Sequence, residues 1–126
     1  MNEVHYEPWR QSEWPRLKRE VVGVHWRSEV RIEVAESWGG PLSIEILFSL
    51  PRAFQAIDEG YRLRDIPVGN ALIYTAQESP YLVAFRHNAS GTMDSIPLIH
   101  WLVISANQCI DVLSEREPEV RVVSCV

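Results

Sequence analysis

Two stretches of this chain alternate apolar and polar positions with a period of two. In EVRIEVAE, residues 29–36, Val30, Ile32 and Val34 point one way and Glu29, Arg31 and Glu33 the other. In LSIEILFSL, residues 42–50, Leu42, Ile44, Ile46, Phe48 and Leu50 share one side, and Ser43, Glu45 and Ser49 the opposite one. Successive side chains of a strand point to opposite faces, so each stretch predicts a strand with one face in a core and one in water. Leu47 interrupts the polar side and marks a place where a helix or a partner would rest. Trp38-Gly39-Gly40-Pro41 between them reads as a turn, and LKREVVGVHW, residues 17–26, predicts a strand before them. Together these form an antiparallel meander.

The pattern then loosens. Residues 53–57 suit a short strand or a helical turn, and Asp58-Glu59-Gly60-Tyr61 suits a turn. A loop at Val68-Gly69-Asn70 precedes a short strand at 71–75. Ser79 followed by Pro80 predicts a helix start, because a serine caps the free N–H groups and proline fits the first helical position. Leu82 and Phe85 share one side of that helix, and Gly91 ends it. Residues 99–104 are apolar almost throughout, as a central strand is. Asn107 is then read as the cap of a second helix, QCIDVLSE, with Ile110 and Leu113 inward and Pro118 as its stop. The segment from Glu119 onward closes as a strand.

The expected fold is therefore α+β: a single mostly antiparallel twisted sheet opened by the N-terminal meander, with two short helices packed on one face. Residues 1–16, polar and punctuated by Pro8 and Pro15, form an N-terminal arm, and residues 17–126 form one domain.

Composition narrows the function. A chain of 126 residues, 46% hydrophobic and 23% charged, has the make-up of one globular domain with a real core. Its net charge of −5 is unevenly spread. Residues 1–31 carry six basic and five acidic side chains; residues 32–126 carry six and twelve. No basic stripe is present, which argues against nucleic acid as a partner. The first residues lack the basic and apolar regions of a signal peptide, and no apolar run is long enough to span a bilayer, so no membrane role and a cytoplasmic location are expected.

Candidate chemistry is sparse. His5, His25, His87 and His100 show no metal-ligand spacing, and His100 in its apolar strand reads as a core histidine. Cys109 and Asp111, two apart on the expected helix, would not share a side. Two cysteines, Cys109 and Cys125, make no disulfide framework, and Cys109 reads as a buried thiol. There is no G-x-S-x-G elbow, no phosphate loop and no dinucleotide fingerprint. Asp58 and Glu59 have the chemistry of an acid–base pair, but neighbouring carboxylates in a turn are ordinarily solvated. No catalytic residue, metal or cofactor is expected. The five tryptophans are more telling. Trp26 and Trp101 read as core, whereas Trp9, Trp14 and Trp38, in an arm and a turn, are either cover for the sheet or interface anchors.

Three motifs carry a family resemblance across about residues 42–123: Asp58-Glu59-Gly60-Tyr61-Arg62; then Tyr81, Leu82 and Phe85; then Ile99, His100, Ile104, Asn107, Ile110, Asp111, Val112, Leu113, Glu117 and Pro118. In these the chain resembles small bacterial proteins encoded beside polymorphic or secretion-system toxins, where they serve as immunity proteins. The resemblance implies a non-enzymatic protein that binds and occludes a cognate toxin, a basic one given this chain's acidity. The expected contact residues are Glu33, Trp38, Glu45, Asp58, Glu59 and Asp65, in the turns and on the solvated face. A regulatory interaction module, homodimeric through a sheet edge, is the alternative, followed by a small hydrolase.

Overall fold

A computed structural model describes residues 4–11, 13, 14, 16, 19–36, 42–58, 66, 67 and 69–124. The chain folds as a sandwich of two antiparallel sheets. Its strands are β1 (Glu7–Trp9), β2 (Arg19–Trp26), β3 (Glu29–Glu36), β4 (Leu42–Ser49), β5 (Ala53–Asp58), β6 (Ile73–Ala76), β7 (Ile99–Ile104), β8 (Gln108–Ser114) and β9 (Glu119–Ser124). One helix, α1 (Pro80–Asn88), lies between β6 and β7. The four-stranded sheet runs β2-β3-β4-β9 and the five-stranded sheet β1-β6-β7-β8-β5.

The alternating stretches behave as their pattern dictates. Val30, Ile32, Val34, Ile44, Ile46 and Phe48 turn inward and are buried. They meet Ile73, Trp101, Val103, Ile110 and Val112 from the facing sheet in one core cluster. Each such side chain contributes about 1.5–3 kcal/mol by leaving water. Trp9 and Trp14 pack against this cluster, Trp9 edge-on to Trp101 at 5.4 Å and Trp101 edge-on to Phe48 at 5.9 Å. Trp26 departs from its expected core position: it is 64% exposed at the end of β2, with the Phe54 ring 5.8 Å away.

The expected single sheet with two helices is overturned: the fold is mostly β, in two sheets, with one short helix. The error sits at residues 108–114. They form strand β8, paired with β7 on one side and β5 on the other. Asn107 caps no helix. The residues from Ser105 to Gln108 close a tight hairpin, with the Ser105 N–H donating to the Gln108 carbonyl at 2.9 Å. β8 shows no alternation because both its faces are covered, one by the four-stranded sheet and the other by α1 and neighbouring loops. A strand buried on both sides reads as a continuous apolar run, and its period cannot separate it from a buried helix.

The first helix forms as its signals require. Ser79 has extended backbone angles, its Oγ accepts from the Leu82 N–H at 3.1 Å, and Pro80 follows. Arg86 and His87 occupy the last turn, where positive charge suits the helix dipole. Leu82 is buried with Leu98 and Leu113 beneath Tyr81 and Phe85. No helix among the described residues is long and apolar enough to cross a membrane.

Candidate functional site

Two regions gather polar side chains, and they differ in access. The first is the outer face of the four-stranded sheet. Register places Glu20, Glu29, Glu33, Glu45 and Glu119 there, with Arg31, Arg121 and His25. Five carboxylates against two guanidinium groups leave the face acidic. Glu33 stands directly opposite Glu45, a like-charge cross-strand pair that costs stability.

The neighbours hold these carboxylates in place. Glu45 Oε2 accepts from Arg121 Nη2 at 3.2 Å. Glu33 Oε1 lies 3.3 Å from His25 Nε2 and 3.8 Å from Arg31 Nε. Gly23 beneath them has no side chain to intrude: a Cβ there would come within 2.8 Å of Glu33 Oε2 and 3.1 Å of His25 Nε2. Surface ion pairs of this kind contribute about 0–1 kcal/mol, so their main effect is to order the charges. Leu47 lies in the same face, half-buried, opposite Arg31 and Glu119. Among the described residues no helix rests on it; α1 packs against β7 of the other sheet.

Of the residues expected to make contact, the fold thus brings Glu33 and Glu45 together. Asp58 is exposed at the end of β5, opposite Gln108 in the other sheet, and does not join them. Trp38, Glu59 and Asp65 lie outside the described residues.

The second region is a buried hydrogen-bonded chain on the outer side of the five-stranded sheet. The Ser79 hydroxyl lies 2.7 Å from His100 Nδ1, and His100 Nε2 lies 2.6 Å from Asp111 Oδ1. Gln55 Nε2 donates to Asp111 Oδ2 at 2.9 Å. Asp111 and His100 are wholly inside, and Ser79 is 4% exposed. The Asp111 carboxylate accepts from the His100 Nε2–H, and Nδ1 shares the second hydrogen bond with the Ser79 hydroxyl. The edges of Tyr6 and Tyr81 close over the imidazole, with ring centroids 5.8 and 5.5 Å away. Burial, and then the negative charge of Asp111, push the Tyr81 phenol up to about 12.

Sequence reasoning placed His100 in the core but missed its partners. A signal existed. Had the turn after Ser105 been read as a hairpin, Leu102 would face Asp111 and His100 would face Leu113, setting His100 diagonal to Asp111 on one face.

Elsewhere, His5, Glu7, Thr75, Gln77 and Glu78 line a cleft of about 580 Å³ beside β1. Among the described residues, no group of three or more histidine, cysteine or acidic side chains is arranged to hold a metal ion. Comparison with protein-family models, curated proteins and solved structures finds no match to this chain.

Proposed function

We propose that the protein is a non-catalytic binding domain that holds a basic protein partner on the outer face of its four-stranded sheet, acting as an immunity protein that occludes a bacterial toxin domain. The observation that carries the reading is the acidic outer face itself, with half-buried Glu33 and Glu45 opposed, half-buried Leu47 beside them and no described element packed on top. An apolar contact rimmed by ordered charges is how protein interfaces are built. Opposite charge speeds capture of a partner before it acts. The toxin assignment rests further on the motif resemblance and on the acidic excess of residues 32–126.

The test is co-expression with the toxin domain encoded beside the gene, followed by size-exclusion chromatography and growth rescue. Co-elution and rescue are expected, and the E33K/E45K double variant loses both. A neighbouring toxin that neither co-elutes nor is neutralised would sink the reading.

A hydrolase is the second reading, because Ser79, His100 and Asp111 form a contiguous chain of short hydrogen bonds. Against it, the Ser79 oxygen already caps α1, and tyrosine edges cover the imidazole. A fluorophosphonate probe decides the matter: labelling lost in S79A favours the hydrolase, and no labelling removes it.

A further inference from the structure

The two edges of the four-stranded sheet are finished differently. At β2 the backbone is engaged by the β7–β8 hairpin. The Ala106 N–H donates to the Arg19 carbonyl at 2.9 Å. The Asn107 side chain grips Val21 from both sides, its Oδ1 accepting from the Val21 N–H and its Nδ2 donating to the Val21 carbonyl, each at 3.0 Å. A bulge between Val21 and Gly23 twists the strand further. These are devices by which proteins stop an edge from pairing with another chain.

β9 carries none of them among its described residues. Its register against β4 runs unbroken from Glu119 to Ser124. Val122 faces inward, opposite the buried Ile44, yet is 58% exposed, so the five-stranded sheet does not reach over it. Val123, facing outward, is 36% exposed. The exposed apolar side chains of β9 lie in its far half, whereas Val120 packs on the core and Glu117, just before β9, accepts from the Trp9 indole N–H at 3.0 Å.

We propose that the open edge of β9 pairs antiparallel with the β9 of a second copy of this chain, joining two four-stranded sheets into one of eight. A two-fold axis normal to the sheet preserves its faces, so only a register centred on a residue is allowed. Centred on Val122, it sets Val122 against itself, Arg121 against Val123, and Val120 against Ser124. Charge does not oppose this. Among the described residues paired in this register, Val120 to Ser124, the ionisable side chain is Arg121, and Glu45 of its own sheet lies 3.2 Å from it. Pairing of β9 with β2 would propagate into a fibre, but the β2 edge is occupied at Arg19 and Val21, so the assembly closes as a dimer.

Sedimentation of the full chain over a concentration series tests the proposal. A mass rising from monomer to dimer is expected, with V122K weakening association at least tenfold. Val122 is exposed, so this substitution leaves the fold intact, which circular dichroism checks. In a C125S background, V122C should form a disulfide-linked dimer on mild oxidation, whereas S49C, on an exposed position of β4, should not. A monomer at every concentration up to the solubility limit overturns the proposal, as does a dimer indifferent to V122K. A monomer that still captures a basic partner overturns it while leaving the binding-face reading in place.

Discussion

The outer faces of the two sheets have opposite fates. On the five-stranded sheet, α1 and flanking loops cover Leu102, Ile104, Cys109 and Leu113, and the polar groups of that face are driven to satisfy one another. On the four-stranded sheet the polar groups stay at the surface, and two carboxylates are left facing each other. Polar side chains on a covered face must pair or the fold is lost, because an unsatisfied buried group bears its full desolvation cost. Polar side chains on an open face are released from that demand and are available to a partner.

Substitutions that remove a charge from each face should separate the two sharply. D111A strips His100 and Gln55 of their common acceptor inside the protein and should cost about 3–5 kcal/mol in urea unfolding. A loss below about 1 kcal/mol would mean that water reaches the network and that the two faces are alike. S79A removes both the cap of α1 and the hydrogen-bond partner of His100 Nδ1, so it should cost about 1–2 kcal/mol by the same measurement.

Tyr81 sharpens the comparison through pH. Its phenol is raised from the usual 10 to about 12, so the fold favours the protonated form. That stabilisation is complete below pH 10 and is lost as the pH climbs through 12. Unfolding free energies measured from pH 9 to 12 should fall more steeply for the native chain than for Y81F, and parallel curves would dismiss the effect. The smallest change belongs to the open face. E33A and E45A should each stay within about 0.5 kcal/mol of the parent, since exposed pairs contribute little and each substitution relieves a like-charge contact. If either proved as damaging as D111A, the open face would be structural and not a site for binding.

Legibility in the sequence followed the same division. β3 and β4 were readable because one side of each meets water, and water writes the period of two into the residues. The helix at Pro80 was readable because Ser79 and Pro80 do local work at its start. β8 was not readable, because cover on both faces erases the alternation, and Asn107 has the chemistry of both a cap and a turn. With β8 mistaken for a helix, the pairing of His100 with Asp111 was out of reach, and so was the division into two sheets. On the candidate face, Glu33 and Glu45 were each legible as outward-facing. Their direct opposition depends on strand register, which the intervening turn sets and the alternation alone does not. The clamp of Asn107 on Val21 spans 86 positions and left no local trace at all.

The pairing of β4 with β9 has a consequence for synthesis. Val123 accepts from the Ser43 hydroxyl across 80 positions of chain, and Glu7 pairs with Thr75 in the other sheet. Neither sheet can be completed by neighbours in sequence alone. A chain emerging from the ribosome can zip β2, β3 and β4 into a meander early, but β4 keeps a naked edge until the residues of β9 follow. Loops this long are closed slowly, on the millisecond-to-second scale typical of sandwiches, and unpaired strands invite aggregation meanwhile. Truncation before Glu119 should therefore leave a chain that forms its first hairpins and then sticks to others of its kind.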